Sequence, residues 1–509
     1  MNMRTLLTTF MIGDCGNGVK SIFLALFLFG NVSVSWAVPA EPSRISGEIT
    51  GEVTATSAIL QSRLTMAEKA PNGEVYGQAG WARFVISRHD DFSSSEYSNW
   101  LEAKAEQDFI VKHVARNLLP NTQYYYRLEY GTGIDATQLG DINRFITLAG
   151  ETLSVPISFA HVTCMTYEGF HIGVTRPWYA SLLGGRVKSP YEGSDKHLGY
   201  PGLVPVASLK PQFVIFNGDN VYYDHGPEES WGKDLKSMRF RWHRQFSQPR
   251  FLDLFKQTST YWTKDDHDFR YNDGDRTVGK KPTLSNGLSV FREQVPVVDP
   301  GVADAKTYRT HRVSKDLQMW YLEGRDYRSP NDQQDGPNKT MWGNEQKAWL
   351  KQTLLESDAT FKIVVSPTPL VGPDRRTKND NHVNNRGFRH EGQAFLDWLK
   401  DNRFDQKGLY LLVGDRHWQY HSIDPRGFEE FSSGSFSYVN AQKPQTPGGY
   451  FSSDPDGLIQ QPYASPEAMG GFIQVNIDPM SDSNTARLVV RFMHESGKEM
   501  YRVERAASH

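Results

Sequence analysis

Four apolar runs of this 509-residue chain end in side chains able to hold a metal. Ile157 to Val162 stops at Thr163-Cys164, and Phe213 to Phe216 at Gly218-Asp219-Asn220-Val221-Tyr222. Ser259 to Trp262 stops near Asp265-Asp266-His267-Asp268, and Leu409 to Val413 at Gly414-Asp415-Arg416-His417. One Gly-Asp turn carries little information. Four such clusters carry more, because a sheet built from these runs would bring them all to one rim. Carboxylates crowded into a concave place repel one another and are costly to desolvate, so they persist with protons or cations. A mixture of carboxylate, imidazole, phenolate and thiolate suits more than one ion, sulfur and phenolate going to a softer or ferric ion and oxygen to harder ones. Gly218 and Gly414 are expected to let the chain turn sharply, so that the next side chain enters the cleft.

These clusters need a scaffold to position them. A fifth apolar run covers Phe361 to Val365, and Glu345 to Leu355 and Glu391 to Lys400 have helical spacing, with Trp349, Leu350, Leu354 and Leu355 on one side of the first. Strand-like runs alternating with helices predict a layered α/β domain over residues 155–505, with ligands beyond the carboxyl ends of its strands. Ahead of it, residues 43–148 read as a β-sandwich of short strands and turns. In its Tyr124 to Tyr130 strand, Tyr124, Tyr126, Leu128 and Tyr130 share one face, the period of a half-buried antiparallel strand.

The 56 basic and 59 acidic residues nearly cancel, which excludes the broad basic field of a nonspecific nucleic-acid binder. At the N-terminus Lys20, the apolar run Ile22 to Phe29 and Ser35-Trp36-Ala37 have the layout of a secretory signal peptide, residues 1–37, cleaved after Ala37. The run is too short for a membrane span. The mature chain is therefore expected outside the cytoplasm, secreted or periplasmic. Cleavage removes Cys15 and leaves Cys164 alone, and a lone thiol in an oxidising compartment calls for deep burial or a metal.

Taken in order, Cys164, Gly218-Asp219-x-x-Tyr222, Asp265-Asp266-His267-Asp268 and Gly414-Asp415-x-His417 resemble the PhoD-like alkaline phosphatases of the calcineurin-type metallophosphoesterase superfamily. Leu119-Pro120-Asn121-Thr122 with its tyrosine-rich strand, Trp342-Gly343-Asn344-Glu345-Gln346, and Glu429-Glu430-Phe431-Ser432-Ser433-Gly434 extend the resemblance over nearly the whole mature chain. It implies a fibronectin-like β-sandwich followed by an α/β/β/α-type metallophosphoesterase domain. It also implies that Asp219 bridges metals, that Cys164 and Tyr222 complete a ferric site, that Asp266 binds a second metal, and that Asp415 and His417 close the cluster. The implied cofactors are Fe(III) and Ca2+, with Zn2+, Mn2+ or Co2+ as alternatives. His267 would stand by the transferred phosphoryl group with Asp268 orienting its ring, a supporting role common around metals.

Two departures bear on substrate. Glu323-Gly324-Arg325-Asp326 replaces the family's Asp-Thr-Arg triplet, and the basic loop Asp374 to His390 has no clear counterpart. Arg389 in that loop and Arg416 are read as contacts for an anionic substrate, small or polymer-borne. His161, His225 and His382 are expected to be structural, while Asp224 and Asp265 are left open. The implied activity is hydrolysis of phosphomonoesters or phosphodiesters by metal-activated hydroxide. A sulfate-ester or polymer-directed hydrolase on the same scaffold is one alternative. A non-catalytic glycan-binding protein with structural calcium is another, against which Cys164, Tyr222 and His267 argue, since calcium wants oxygen.

Overall fold

Side chains alternate across a strand with period two, so a strand apolar at every position needs a packed layer on both faces. The site-bearing runs meet this condition. In the computed structural model, which describes residues 41–135, 138–173, 189–480 and 485–508, the strands run as follows. The first nine are β1 (Glu48–Gly51), β2 (Ser57–Arg63), β3 (Gly80–Ser87), β4 (Ser95–Tyr97), β5 (Leu101–Ala103), β6 (Ile110–Arg116), β7 (Gln123–Gly131), β8 (Gln138–Leu139) and β9 (Asn143–Ile146). Then come β10 (Ile157–Val162), β11 (Phe213–Asn217), β12 (Ser259–Thr263), β13 (Arg309–Arg312), β14 (Leu317–Tyr321), β15 (Phe361–Ser366) and β16 (Leu409–Val413). The last are β17 (Gln419–Ile423), β18 (Glu429–Ser433), β19 (Gln460–Ala464), β20 (Gly471–Pro479), β21 (Thr485–His494) and β22 (Glu499–Ser508). The proposed signal segment, 1–37, lies outside the described residues.

Two large sheets carry the site. One has the order β22-β21-β20-β10-β11-β12-β1-β2-β6, the other β13-β14-β15-β16-β18-β17-β19. Within them β10, β11 and β12 are parallel, as are β14, β15, β16 and β18, so each group delivers its carboxyl ends to one side. Alternate residues separate the layers. Phe159, Phe213 and Ile215 pack with Ile363, Val365 and Leu412 between the sheets. Ala160, Val162, Val214 and Phe216 instead meet Leu203, Trp242, Phe251 and Phe291 from flanking helices. On the far side Val364, Leu411 and Val413 meet Leu350, Leu354, Phe395 and Leu396. The result is the α/β/β/α layering expected. In the helix Gly343–Glu356 the buried stripe is Gln346, Leu350 and Leu354; Leu355, expected on that face, is exposed.

The N-terminal strands form a sandwich. A sheet of order β4-β3-β7-β8, with β5 on β3 and β9 on β7, packs Phe84, Tyr126 and Leu128 against Leu60 and Val111 of β2 and β6. Tyr124, Tyr126, Leu128 and Tyr130 are buried in alternation along β7. The opposing layer, β1-β2-β6, continues the nine-stranded sheet, β1 pairing in parallel with β12 at Gly51 and Thr260. Among the described residues no helix is long and apolar enough to cross a membrane.

Candidate metal centre

Each site segment begins where its strand stops. β10 ends one residue before Thr163-Cys164, β11 before Gly218-Asp219, β12 before Lys264-Asp265-Asp266, and β16 before Gly414-Asp415. Cys164, Asp219 and Asp415 all adopt left-handed backbone, at φ 58°, 54° and 61°. Such a conformation costs a side-chain-bearing residue about 1–3 kcal/mol and persists where the surroundings demand it. Three of them converge on one rim. Gly218 shares this geometry at φ 80°, whereas Gly414 serves by smallness: a Cβ there would come within 2.4 Å of the Asn217 carbonyl, where the two sheets meet.

The donors interlock. Cys164 Sγ lies 3.4 Å from Asp219 Oδ2, and the Tyr222 hydroxyl donates to the same oxygen at 3.0 Å. Asn440 Nδ2 donates to the Tyr222 oxygen at 2.7 Å while its carbonyl accepts from His417 Nδ1 at 2.6 Å. That bond commits the Nδ1 proton and leaves Nε2 of His417 with its lone pair. Ligand atoms of Cys164, Asp219 and His417 lie within 4.8 Å of one another; so do those of Asp219, Asp266 and His267, of Asp265, Asp266 and Asp415, and of Asp266, Asp273 and Asp380. Of these, Asp266, His267, Asp273, Asp415 and His417 border a cleft of about 440 Å³ whose other walls include His225, Asp374, Arg375, Lys378 and Trp418.

Residues 194–474, more than half of the chain, match the PhoD-like phosphatase family, and residues 34–149 match its N-terminal domain. The chain belongs to the PhoD-like phosphatases. Alkaline phosphatase D of Bacillus subtilis (strain 168) is 22% identical over 451 residues, covering 79% of this chain and 69% of that protein. A solved structure of PhoD superposes with a TM-score of 0.68 at 18% identity, covering 91% of this chain and 90% of the other. A purple acid phosphatase from yellow lupin (Lupinus luteus) seeds gives 0.53 at 10% identity, covering 92% and 74%. These two share the fold. The protein is a metal-dependent phosphoesterase.

Burial and crowding set the electrostatics of this PhoD-like centre. Burial, followed by the Asp266 charge, pushes the Asp219 carboxyl well above the carboxylate range. Burial also carries Asp265 well up despite Arg325, and raises Asp415 to about 7 against the pull of Arg416. The Cys164 thiol and Tyr222 phenol are raised by burial and then by Asp219. The buried oxygens Asp265 Oδ2, Asp266 Oδ1 and both of Asp380 accept no hydrogen bond among the described residues. Buried carboxylate oxygens without donors fit cations, which at Asp265 would also displace the proton that burial favours.

Two supporting roles differ from those expected. Asp268 does not touch the His267 ring. Its carboxylate accepts from Asp265 N at 2.6 Å, Asn220 N at 3.0 Å and Asn220 Nδ2 at 2.7 Å, pinning the turn that carries Asp219. His267 Nδ1 instead donates to Asp224 Oδ1 at 2.6 Å, and Asp224 Oδ2 accepts from Asn272 N at 2.7 Å. Although burial opposes it, Asp224, then Asp266 and Asp219, hold the imidazole pKa well above its ordinary value.

The expected substrate arginines also differ. Arg416 is in the cleft wall but buried, ion-paired with Asp415 and, at 3.2 Å, with Asp374. Arg389 is outside the cleft lining; its guanidinium donates to Asn385 Oδ1 at 2.9 Å at the start of the helix Arg389–Asp401. Arg375 and Lys378 stand in that wall instead, Lys378 paired with Asp273. His161 and His382 are buried against Asn217 and Glu391, while His225 joins the cleft wall beside Tyr222, ring centroids 4.2 Å apart. Asp273, Asp380, Asn440 and Arg325, whose Nε donates to Asp265 Oδ1 at 2.7 Å, complete the surroundings without having been singled out as site residues from sequence.

Proposed function

We propose that this phosphatase is exported through residues 1–37 and hydrolyses phosphomonoesters and phosphodiesters with a ferric ion and calcium in the centre. The observation that carries the reading is that Asp219 stands in two acidic or metal-binding groups at once, one with Cys164 and His417, the other with Asp266, where His267 stands by as the proton donor. A carboxylate placed between a sulfur-containing set and an oxygen-rich one is what a bridge between unlike ions requires. Thiolate, phenolate and imidazole from Cys164, Tyr222 and His417 suit the ferric ion; Asp265, Asp266 and Asp415 suit calcium. When bound, the ions supply Lewis acidity toward the phosphoryl oxygens and lower the pKa of water.

The chain's own groups do the rest. His267, its Nδ1 held by Asp224, turns Nε2 to the cleft and donates a proton or hydrogen bond to the phosphoryl group or the departing oxygen. Asp224 fixes which ring nitrogen faces the cleft. Arg375 offers positive charge to the incoming ester. Asp268 and Arg416 keep Asp219 and Asp415 in register by holding their turns.

Elemental analysis of the purified protein with its visible spectrum tests the centre. Iron, calcium and a phenolate-to-iron band are expected; Tyr222→Phe should bleach the band, and Asp219→Ala should abolish metal loading and turnover. A colourless, iron-free protein fully active on p-nitrophenyl phosphate would overturn the metal assignment. Matched monoester, diester and sulfate-ester substrates decide the ester class, with the sulfate ester expected to be inert. Export is tested by the N-terminal sequence of the mature protein, expected to begin at Val38.

A further inference from the structure

Beside the cleft rim, the loop that follows Gln442 carries two aromatic rings into solvent. Tyr450 is 77% exposed and Phe451 69%, and their rings meet edge-on with centroids 4.9 Å apart. The loop is closed on itself by Gly448 N donating to the Asp454 carbonyl at 2.7 Å. Neighbouring exposed rings on an ordered loop are a surface feature that calls for a ligand, unlike apolar residues scattered singly.

The loop is also tied to the cleft. Arg376 N donates to the Phe451 carbonyl at 2.8 Å, Ser453 N to the Asp374 carbonyl at 2.7 Å, and Asp374 N to Ser453 Oγ at 3.0 Å, with Arg375 and Ser452 paired between them. The Arg376 guanidinium lies 5.8 Å from the centre of the Tyr450 ring. The segment so paired gives Asp374, Arg375, Thr377 and Lys378 to the cleft wall. Arg375 is exposed, and among the described residues its guanidinium has no hydrogen bond or ion pair. One short stretch of chain thus connects the cleft wall that holds Arg375 and Lys378 to an aromatic shelf.

We propose that Tyr450 and Phe451, with Arg375, form a subsite for the second substituent of a phosphodiester, and that the subsite takes a planar ring carried a few bonds from phosphorus, as in a nucleoside. The assignment rests on the phosphoester reading above and names the diesters that the centre prefers. Aromatic side chains stack on the face of any base, and a neighbouring guanidinium serves the phosphate that joins ring to cleft. In the reaction, the oxygen of water joins phosphorus, the bond to the opposite ester oxygen breaks and that oxygen takes a proton. The ring-bearing substituent stays on phosphorus. A lipid surface is the competing occupant, since Leu458 on the same loop is also exposed. Asp456, exposed on that loop, disfavours it by setting a carboxylate against an anionic bilayer.

The test compares two diesters that share charge and leaving group, the p-nitrophenyl ester of thymidine 5′-monophosphate and ethyl p-nitrophenyl phosphate, on the metal-loaded enzyme. The thymidine ester should have the higher kcat/KM by about tenfold, or about 1.4 kcal/mol, mostly through KM. The double variant Tyr450→Ala/Phe451→Ala should bring the ratio close to unity, and Tyr450→Phe should retain it. A ratio near unity in the wild type, or one unchanged in the double variant, overturns the subsite and leaves phosphoester hydrolysis standing. An unchanged ratio with lost sedimentation on phosphatidylglycerol vesicles assigns the shelf to a membrane and also overturns it. If the enzyme releases p-nitrophenolate from neither diester nor p-nitrophenyl phosphate, the phosphoester reading falls and the subsite with it.

Discussion

Asp224 reaches the His267 ring from a separate segment, while Asp268, next to His267 in sequence, turns away. Consecutive residues on a helical turn point about 100° apart, so neighbours in sequence there do not share a face. Adjacency therefore misled where spacing did not. Asp224→Asn should lower kcat by about 10–100-fold with metal content unchanged, which steady-state kinetics beside elemental analysis would check. Loss of metal in step with turnover would make Asp224 a ligand instead. Asp268→Ala leaves three donors of Asn220 and Asp265 without their acceptor. At about 1–3 kcal/mol for each buried group left unpaired, denaturant unfolding should report a loss of at least about 3 kcal/mol. The proximity of Cys164, Asp219, Asp266, Asp415 and His417 was legible because each follows an apolar run. Asp273, Asp380 and Asn440 were not, because they arrive on irregular loops whose ends carry no periodic signal.

Among the elements, the buried strands β10, β11, β12, β15 and β16 announce themselves as unbroken apolar runs. The helix Leu235–Phe246 does not, since its inward face includes Arg241, His243 and Gln245 along with Met238, Trp242 and Phe246. β21 and β22 are also obscure, with Arg487, Arg491, Arg502 and Arg505 interleaved among their apolar residues. Polar groups buried with partners defeat a reading based on hydrophobic period alone. Glu391, in the first turn of Arg389–Asp401, illustrates such a partnership. Its carboxylate accepts from Met341 N at 2.8 Å and from the Thr340 hydroxyl, and lies 3.1 Å from His382 Nε2. Burial alone would raise it, but His382, Thr340 and Met341 hold it at about 2, below the ordinary 4.5. A carboxyl depressed in the folded chain stabilises above its unfolded pKa, and that stabilisation fades as pH falls toward the folded value. Glu391→Gln should thus cost about 3 kcal/mol at neutral pH, and its gap from the wild type should narrow between pH 4.5 and 2 in paired denaturant melts. A constant gap would mean that the charge is not what stabilises.

At the scale of the whole molecule, the sandwich is stitched to the catalytic layers by more than a linker. Besides the β1 to β12 pairing, Lys112 Nζ donates to the Arg292 and Val295 carbonyls at 2.7 Å each, and Gln61 Nε2 to the Gln294 carbonyl at 2.7 Å. His243 bridges Glu74 and Asp108 across the same boundary. Buried polar groups of this kind cannot part without leaving donors unpaired. Calorimetry should therefore show one unfolding transition for residues 43–505; two would mean that the sandwich melts separately. The layered architecture and the existence of an N-terminal sandwich were readable from the alternation of runs. The sharing of a sheet between them was not, because a strand's partner across two hundred residues leaves no mark in local pattern.

Cys164, Asp219 and Asp266 hang from one large sheet, Asp415 and His417 from the other. A slip of one sheet along its partner by a single residue would shift the two halves by about 3.3 Å, enough to spoil a shared coordination sphere. Cations seated there act as rivets through the mouth of the molecule. Chelation should loosen that seam first, so hydrogen exchange ought to quicken at the strand tips before the distal edges, and restoring the removed metal ought to slow it again.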